Sequence, residues 1–268
     1  MRNRTSWIMV LLGMLLALAL APAASAQGGS AKVRVVHASP DAPAVDVYLD
    51  GNKVLTNVPF FTASDYLDVP AGPHDIKVTP TGDANTAVID AKGVTVEAGK
   101  AYTVAATGKL AEIKPTVYYD NLSAPAAGKA HVRVIHASPD APAVDIKVKG
   151  GPTLISNLAF PKDSGYLPVD AGSYDLTVNA AGSDTVALDL PGVKLEAGKI
   201  YDVFAVGLLA DKTLHAEVTI PPPMAAPAAA PAPTTLPTTS GETLPLALFG
   251  AIAALLFGGG LALRRRTR

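Results

Sequence analysis

The residues with the clearest potential for chemistry stand in a ten-residue string, His-Ala-Ser-Pro-Asp-Ala-Pro-Ala-Val-Asp, which occurs without change at 37–46 and 136–145. Each copy holds one imidazole and two carboxylates, a donor set that can bind Zn²⁺ or a similar ion. The candidate metal ligands are, in chain order, His37, Asp41, Asp46, His136, Asp140 and Asp145. A surface module that binds metal or glycan through this repeated string is therefore one hypothesis for the function.

A calcium site made only of oxygen donors is a variant of this hypothesis. Asp41, Asp46 and Asp50, with nearby backbone carbonyls, would supply the ligands that Ca²⁺ prefers. The second copy has Lys149 where the first has Asp50, which argues against a calcium site common to both copies. Neither the spacing of the zinc ligands nor that of the calcium ligands matches an established metal-binding loop.

The same string is also typical of a structural turn, and this is the interpretation that we favour. Its two prolines fix the backbone angle φ, and its serine and first aspartate can accept hydrogen bonds from nearby backbone N–H groups. His37 shares a strand face with Val33 and Val35, which predicts a histidine at the edge of the core with a hydrogen-bond partner. In this interpretation no cofactor is required.

Strand parity also predicts ion pairs beside the string. Arg34 and Asp46 fall on the outward faces of their strands, and they would pair if those strands are neighbours. Arg133 and Asp145 repeat the arrangement in the second copy. Under that condition each copy would hold one such pair.

Catalytic signatures are missing from the sequence. The chain has no cysteine nucleophile, no Gly-x-Ser-x-Gly elbow, no His-Glu-x-x-His pair and no glycine loop of the kind that cradles phosphate. A triad drawn from the string itself would need three nearly adjacent residues in a proline-bounded turn to converge on one atom. We therefore expect the protein not to be an enzyme.

The elements that position the string repeat with it. The offset from residue 37 to residue 136 is 99 residues, which suits two domains in tandem rather than a solenoid. Apolar and polar residues alternate with period two between Gly and Pro turns, and no stretch keeps a helical period. The strands predicted for the first copy are 32–37, 44–50, 65–69, 75–79, 94–97, 101–107 and 113–118. The expected fold is all-β, with immunoglobulin-like or transthyretin-like β-sandwiches at 31–122 and 130–220.

The repeated string resembles the hallmark of a bacterial family known only as a domain of unknown function, number 4397. The segments Ala-Gly-Lys-Ala-Tyr-Thr-Val at 98–104 and Ala-Gly-Lys-Ile-Tyr at 197–201 fit the same family. The resemblance covers residues 31–122 and 130–220, which make up most of the chain after the predicted signal peptide. It implies a secreted or surface-displayed module, often in tandem, and it brings no established activity.

The two ends of the chain predict export and anchoring. Residues 1–26 have the basic start, the apolar run and the Ala-Ser-Ala site of a signal peptide. Residues 244–263 are free of charge and long enough for a transmembrane helix, and the arginine-rich tail at 264–268 predicts a cytoplasmic end. The Pro/Ala/Thr-rich segment 221–243 is a stalk in extended polyproline form. We therefore expect the domains to lie outside the cell, at the membrane or the wall.

A segment of this stalk resembles the wall-sorting signal of Gram-positive surface proteins. It reads Leu-Pro-Thr-Thr-Ser-Gly at 236–241, so that Ser240 stands where the signal has glycine and Gly241 comes one place late. This departure favours a plain membrane anchor over covalent attachment to the wall.

The composition limits the partners. A formal net charge of −1, with acidic and basic residues mixed, provides no field that would attract nucleic acid. The absence of cysteine requires each domain to be stable on its own core. We expect a structural or adhesive role, with a surface protein or a glycan as the partner and the membrane reached through the C-terminal helix.

Overall fold

The computed structural model describes residues 29–224, which form an all-β unit of two sandwich domains. The signal peptide predicted at 1–26, the stalk beyond residue 224 and the helix predicted at 244–263 lie outside these residues. Within 29–224 no helix is long and apolar enough to cross a membrane.

The first domain has nine strands in two sheets. β1 lies inside one sheet, pairing antiparallel with β4 and β5 and parallel with β8, which in turn pairs with β9. The other sheet is antiparallel in the order β3-β2-β6-β7. The strands are β1 (Ser30–His37), β2 (Val45–Leu49), β3 (Asn52–Val58), β4 (Thr62–Ala63), β5 (Leu67–Pro70), β6 (Gly72–Pro80), β7 (Ile89–Val96), β8 (Ala101–Thr107) and β9 (Lys114–Asp120).

The second domain repeats this plan without a counterpart of β4. Its sheets have the orders β13-β10-β16-β17 and β12-β11-β14-β15, and β10 is again parallel to β16. The strands are β10 (Lys129–His136), β11 (Val144–Val148), β12 (Thr153–Leu158), β13 (Leu167–Asp170), β14 (Gly172–Ala180), β15 (Val186–Leu195), β16 (Ile200–Val206) and β17 (His215–Thr219). Every strand in both domains pairs within residues 29–224, so we expect that fragment to fold independently.

All seven strand segments predicted for the first copy overlap a strand. The hairpin predicted at Asp50-Gly51 is also present, with φ of 50° and 81°. A two-residue hairpin of this kind needs positive φ at both central residues, which aspartate tolerates and glycine favours. The short β4 and the mostly exposed β3 lack a clear alternation and were not predicted, nor was the parallel pairing of β1 with β8.

β1 has two apolar environments because both faces of its sheet are covered. Val33 packs into the core between the two sheets of the first domain. Val36 points the other way, into a cluster shared with Ile135 and Phe204 of the second domain. The two domains therefore meet through the sheets that contain β1 and β10.

The interface is largely aromatic at one end. The rings of Phe61 and Phe204 pack edge to face with centroids 5.2 Å apart, a favourable arrangement for aromatic pairs. The hydroxyl of Tyr118 donates a hydrogen bond across the interface to the carbonyl oxygen of Pro161, at 2.6 Å. These contacts join the two domains into one compact unit.

Candidate functional site

The histidine of the repeated string closes the turn that follows it. His37 is fully buried, and its Nε2 lies 3.0 Å from the carbonyl oxygen of Pro43. His136 makes the same contact with the carbonyl oxygen of Pro142, also at 3.0 Å. The bond fits a neutral ring that donates through Nε2, as predicted for a histidine at the core edge, and it spans the whole turn.

The first aspartate of the string holds a neighbouring loop. Asp41 Oδ1 accepts a hydrogen bond from the N–H of Leu110, at 2.8 Å. Asp140 accepts from the N–H groups of Leu209 and Ala210, at 2.8 and 3.1 Å. Leu110 lies in the loop after β8, and Leu209 lies in the loop after β16. Each aspartate therefore links the turn of its string to the loop that follows the strand parallel to β1 or β10.

The second aspartate holds an irregular point in the adjacent strand. Asp46 Oδ1 accepts from the N–H of Asn57 at 2.9 Å, and Asp145 Oδ1 accepts from the N–H of Asn157 at 2.8 Å. Both asparagines have positive φ, 53° and 54°, which costs energy for a residue with a side chain. The carboxylate offsets this cost, because it accepts a hydrogen bond from the asparagine N–H group, which no longer bonds to the neighbouring strand.

The charge of Asp46 is stabilised by its neighbours. Lys53 Nζ lies 2.7 Å from Asp46 Oδ2, and the pKa of Asp46 is lowered by this hydrogen bond and by the one from Asn57. The pKa of Asp145 is lowered as well, first by the N–H of Asn157 and then by that of Gly182, 3.0 Å away. Both carboxylates therefore stay ionised as hydrogen-bond acceptors.

The structure does not bring the three candidate ligands of either copy to one point. His37, Asp41 and Asp46 each bond a different segment, and the second copy follows the same pattern. Among residues 29–224 no group of three or more His, Asp or Glu side chains is placed to hold a metal ion. Asp50, the additional ligand of the calcium hypothesis, instead pairs with His74, Oδ2 to Nδ1 at 2.7 Å. The described geometry favours the structural interpretation, and metal binding stays an untested prediction.

The predicted pairing of Arg34 with Asp46 and of Arg133 with Asp145 is wrong. β1 and β2 lie in different sheets of the sandwich, and so do β10 and β11. The outward face of β1 is covered by the second domain, so both arginines point into the interface between the domains. There they meet carboxylates that sequence reasoning alone did not single out.

Two arginines and two aspartates form a buried cluster at this interface, which we call the four-charge cluster. Arg34 forms an ion pair through Nη2 with Oδ2 of Asp202, in the other domain. Arg133 donates from Nε to Oδ1 of Asp202 at 2.8 Å and from Nη2 to Oδ1 of Asp120 at 2.7 Å. None of the four side chains is more than 3% exposed. Asp120 and Asp202 thus each contact an arginine of the other domain.

Hydroxyl groups complete the cluster. Arg34 donates from Nε to Oγ1 of Thr103 at 2.8 Å and from Nη1 to Oγ1 of Thr219 at 3.0 Å. Asp120 Oδ2 accepts from the hydroxyls of Thr103 and Tyr66, each at 2.6 Å. Buried charges are tolerated when their remaining donors and acceptors are filled in this way.

The strand register relates two of these residues. Thr103 of the first domain corresponds to Asp202 of the second, because Thr103 is the strand partner of Arg34 and Asp202 is the strand partner of Arg133. A hydroxyl in one copy thus stands where the other copy has a carboxylate. This difference, at an offset of 99 residues, is visible in the sequence and is the signal that could have pointed to the cluster.

The pKa values of Arg133 and of the adjoining Tyr66 are raised in this site. Burial alone would lower the pKa of Arg133, but the carboxylates of Asp202 and Asp120 outweigh burial and raise it. Burial raises the pKa of Tyr66, and the adjacent carboxylate of Asp120 raises it further. Arg133 therefore stays charged, and Tyr66 stays a neutral hydrogen-bond donor.

Residues 31–147 and 148–230 match two copies of the family described as "Domain of unknown function (DUF4397)". The division between these matches falls inside β11, whereas strand pairing places both β10 and β11 in the second domain. No curated protein matches the chain.

Three solved structures show limited similarity. The C-terminal domain of AlgF from P. aeruginosa is 22% identical, with a TM-score of 0.27, covering 35% of this chain and 98% of that one. A family 26 carbohydrate-binding module from Eubacterium rectale, solved with maltoheptaose, is 10% identical with a TM-score of 0.24, covering 73% and 98%. A Bacteroides fragilis protein provisionally described as a cell adhesion protein is 10% identical with a TM-score of 0.18, covering 74% and 100%. Scores this low carry no argument about function.

We predict that Arg34 is energetically coupled to Asp202 and not to Asp46. Asp202→Asn in the fragment 27–224 leaves Asp120 as the one fully buried carboxylate beside two buried arginines, so it should cost about 3–5 kcal/mol of the free energy of unfolding. Arg34→Met together with Asp202→Asn removes one charge of each sign, so the double variant should lose less than the two single losses combined. Urea unfolding measures each variant.

Two controls accompany this cycle. Arg34→Met combined with Asp46→Asn should be additive, because these side chains lie in different environments. Asp68→Asn weakens an exposed ion pair with Lys32, which water screens, so its loss should be much smaller than that of Asp202→Asn. Additive losses for Arg34 and Asp202 would contradict a coupled cluster.

We also predict that the fragment loses stability as the pH falls below about 6.5. Burial lowers the pKa of His37 and of His136 below the ordinary value of 6.5. The unfolded chain then binds protons that the folded chain does not, so stability falls by at most about 1.4 kcal/mol per pH unit for each histidine. Urea unfolding between pH 7.5 and 5 measures this slope.

Substitutions show which histidines cause the pH dependence of stability. His37→Gln with His136→Gln should flatten the slope between pH 6.5 and 5, since glutamine does not titrate. His74 acts with the opposite sign: its hydrogen bond to Asp50 raises its pKa, so its contribution is full below pH 6.5 and is lost above it. A slope that survives the double substitution would show that other groups cause it.

Proposed function

This chain belongs to the family described as a domain of unknown function, DUF4397, and from its two joined domains we propose a non-catalytic structural or adhesive protein of the cell surface. The four-charge cluster carries the proposal. It fixes the two sandwiches against each other through the sheets that contain β1 and β10, and such a unit holds its outer surfaces at a constant geometry. A protein that spans a distance or presents a binding face needs this rigidity more than it needs a mobile active site.

The chemistry of the repeated string supports a non-catalytic role. In each copy the imidazole and both carboxylates are engaged by backbone groups of the same domain. These bonds hold a turn, a loop and a strand irregularity, so the string maintains the shape of the sandwich. We infer that it recurs in both domains because both need the same framework.

We propose that the unit is exported by the signal peptide at 1–26 and anchored by a transmembrane helix at 244–263, with the tail at 264–268 inside the cell. The stalk at 221–243 would extend up to roughly 70 Å if fully in polyproline II form. In this arrangement both sandwiches, of immunoglobulin-like or transthyretin-like type, face outward. A surface protein or a glycan of a neighbouring structure is the proposed partner.

We predict that the domains are accessible on intact cells and that the anchor lies after residue 243. An antibody against residues 27–224 should label unpermeabilised cells, and a chain truncated after residue 243 should appear in the medium. Detergent should extract the full-length protein with its arginine tail from wall-free membranes. Release of the full-length protein by buffer alone would contradict the anchor, and release only by wall digestion would favour covalent attachment.

We predict that divalent metals leave the stability of the fragment unchanged. Thermal unfolding of 27–224 in Ca²⁺, in Zn²⁺ and in chelator should give one transition temperature. Asp41→Ala with Asp140→Ala should lower that temperature equally in all three conditions, because the lost bonds are structural. An upward shift with one metal that disappears in this double variant would establish the repeated string as a metal site instead.

A further inference from the structure

The interiors of the two sandwiches differ although their strands correspond. The second domain encloses an apolar cavity of about 210 Å³ between its sheets. The corresponding space in the first domain is about 30 Å³. Val132 and Val203 line the larger cavity from one sheet, and Ile146 and Leu176 line it from the other. For comparison, an engineered apolar cavity of about 150 Å³ is large enough to bind benzene.

The exposure of the core side chains also indicates that the second domain is packed less tightly than the first. Val69, Ile76 and Val104 are buried in the first domain, at 2%, 8% and 4% exposure. Their counterparts in the second domain are only half-buried, and these are Val169, Leu176 and Val203. The buried core of the first domain is one continuous cluster, whereas that of the second is divided into two.

One replacement removes apolar volume from the second domain. Leu49 packs on the core of the first domain, and the residue at the same strand position of the second domain is the smaller Val148. This difference in sequence contributes to the cavity.

The cavity adjoins a polar depression at the edge formed by β12 and β13. Leu154, Ile155 and Leu167 line both spaces. The depression, of about 320 Å³, adds Lys162, Asp163 and Ser164 at its rim. Asp163 faces Arg133 at 3.5 Å, whereas the side chain of Lys162 is exposed.

From this juxtaposition of an apolar cavity with a lysine at its rim, we propose that the second domain binds an unbranched alkyl chain with an anionic head group. The chain occupies the space between the sheets, where an apolar wall favours hydrocarbon over water. The head group remains in the depression within reach of Lys162. A free fatty acid and a membrane lipid share this chemistry. The first domain, which lacks the space, does not bind the chain.

The test uses the fragment 27–224, after a cooperative thermal transition has confirmed that it folds. A conjugated fatty acid whose fluorescence rises in apolar surroundings is titrated into it, and we expect saturable binding with one ligand per chain. Dodecanoate should displace the probe better than dodecanol. Lys162→Gln should weaken dodecanoate binding about tenfold, and dodecanol binding much less. Equal displacement by both compounds would overturn the role of Lys162.

Matched substitutions locate the ligand. Val203→Phe fills the cavity, so it should abolish binding without lowering the transition temperature. Val104→Phe is the same change at the corresponding position of the first domain; it overpacks a full core and should lower the temperature while binding persists. Binding that survives Val203→Phe, or equal destabilisation by both changes, would refute the cavity site.

Vesicles distinguish the two sources of the ligand. Phospholipid vesicles that compete with the bound probe would identify a membrane lipid as the source. Competition by soluble fatty acid alone would identify a free fatty acid. Absence of saturable binding by the probe would refute the proposal.

Discussion

The interface between the domains depends on charge balance in a buried site. Two guanidinium groups and two carboxylates lie where water cannot solvate them, and an unpaired charge there would cost several kcal/mol. Docking removes these charges from water, and they are then compensated only by one another, because Asp202 pairs with an arginine from each domain. Folding of one domain and its placement against the other are therefore linked. This linkage makes the tandem pair one structural unit, and the surface role that we propose relies on it.

The repeats diverge in a way that this constraint explains. Residues that maintain each sandwich, such as the histidine and aspartates of the repeated string, serve the same backbone partners twice and remain identical. Residues at the interface contact the other copy as well as their own, as Asp202 contacts both Arg34 and Arg133, so Thr103 and Asp202 need not match. When a buried polar position differs between the two copies, as Thr103 and Asp202 do, the difference indicates that the position lies where the two domains contact each other.

The same distinction separates what the sequence predicted from what it did not. Period-two alternation predicted the strands, because it depends only on which side chains leave water. Parity correctly placed Arg34 opposite the valines of its own core. It could not identify Asp202 as the partner, since parity says which face a side chain takes and nothing about what covers that face. The exposed β3 escaped prediction for a related reason: its conformation is imposed by pairing with β2 rather than by burial.

The cavity of the second domain cannot be explained as a feature that stabilises the fold. An empty apolar cavity weakens a fold, by about 24 cal/mol for each Å³ in the best-studied series. The first domain shows that this topology can be packed with almost no empty space, so the cavity is not imposed by the arrangement of strands. Docking buries Ile135 and Phe204 of the second domain against the first, so it supplies stability from outside the second domain's own core. A domain stabilised in this way can keep an unfilled interior, and a bound alkyl chain would then stabilise the fold further by occupying it.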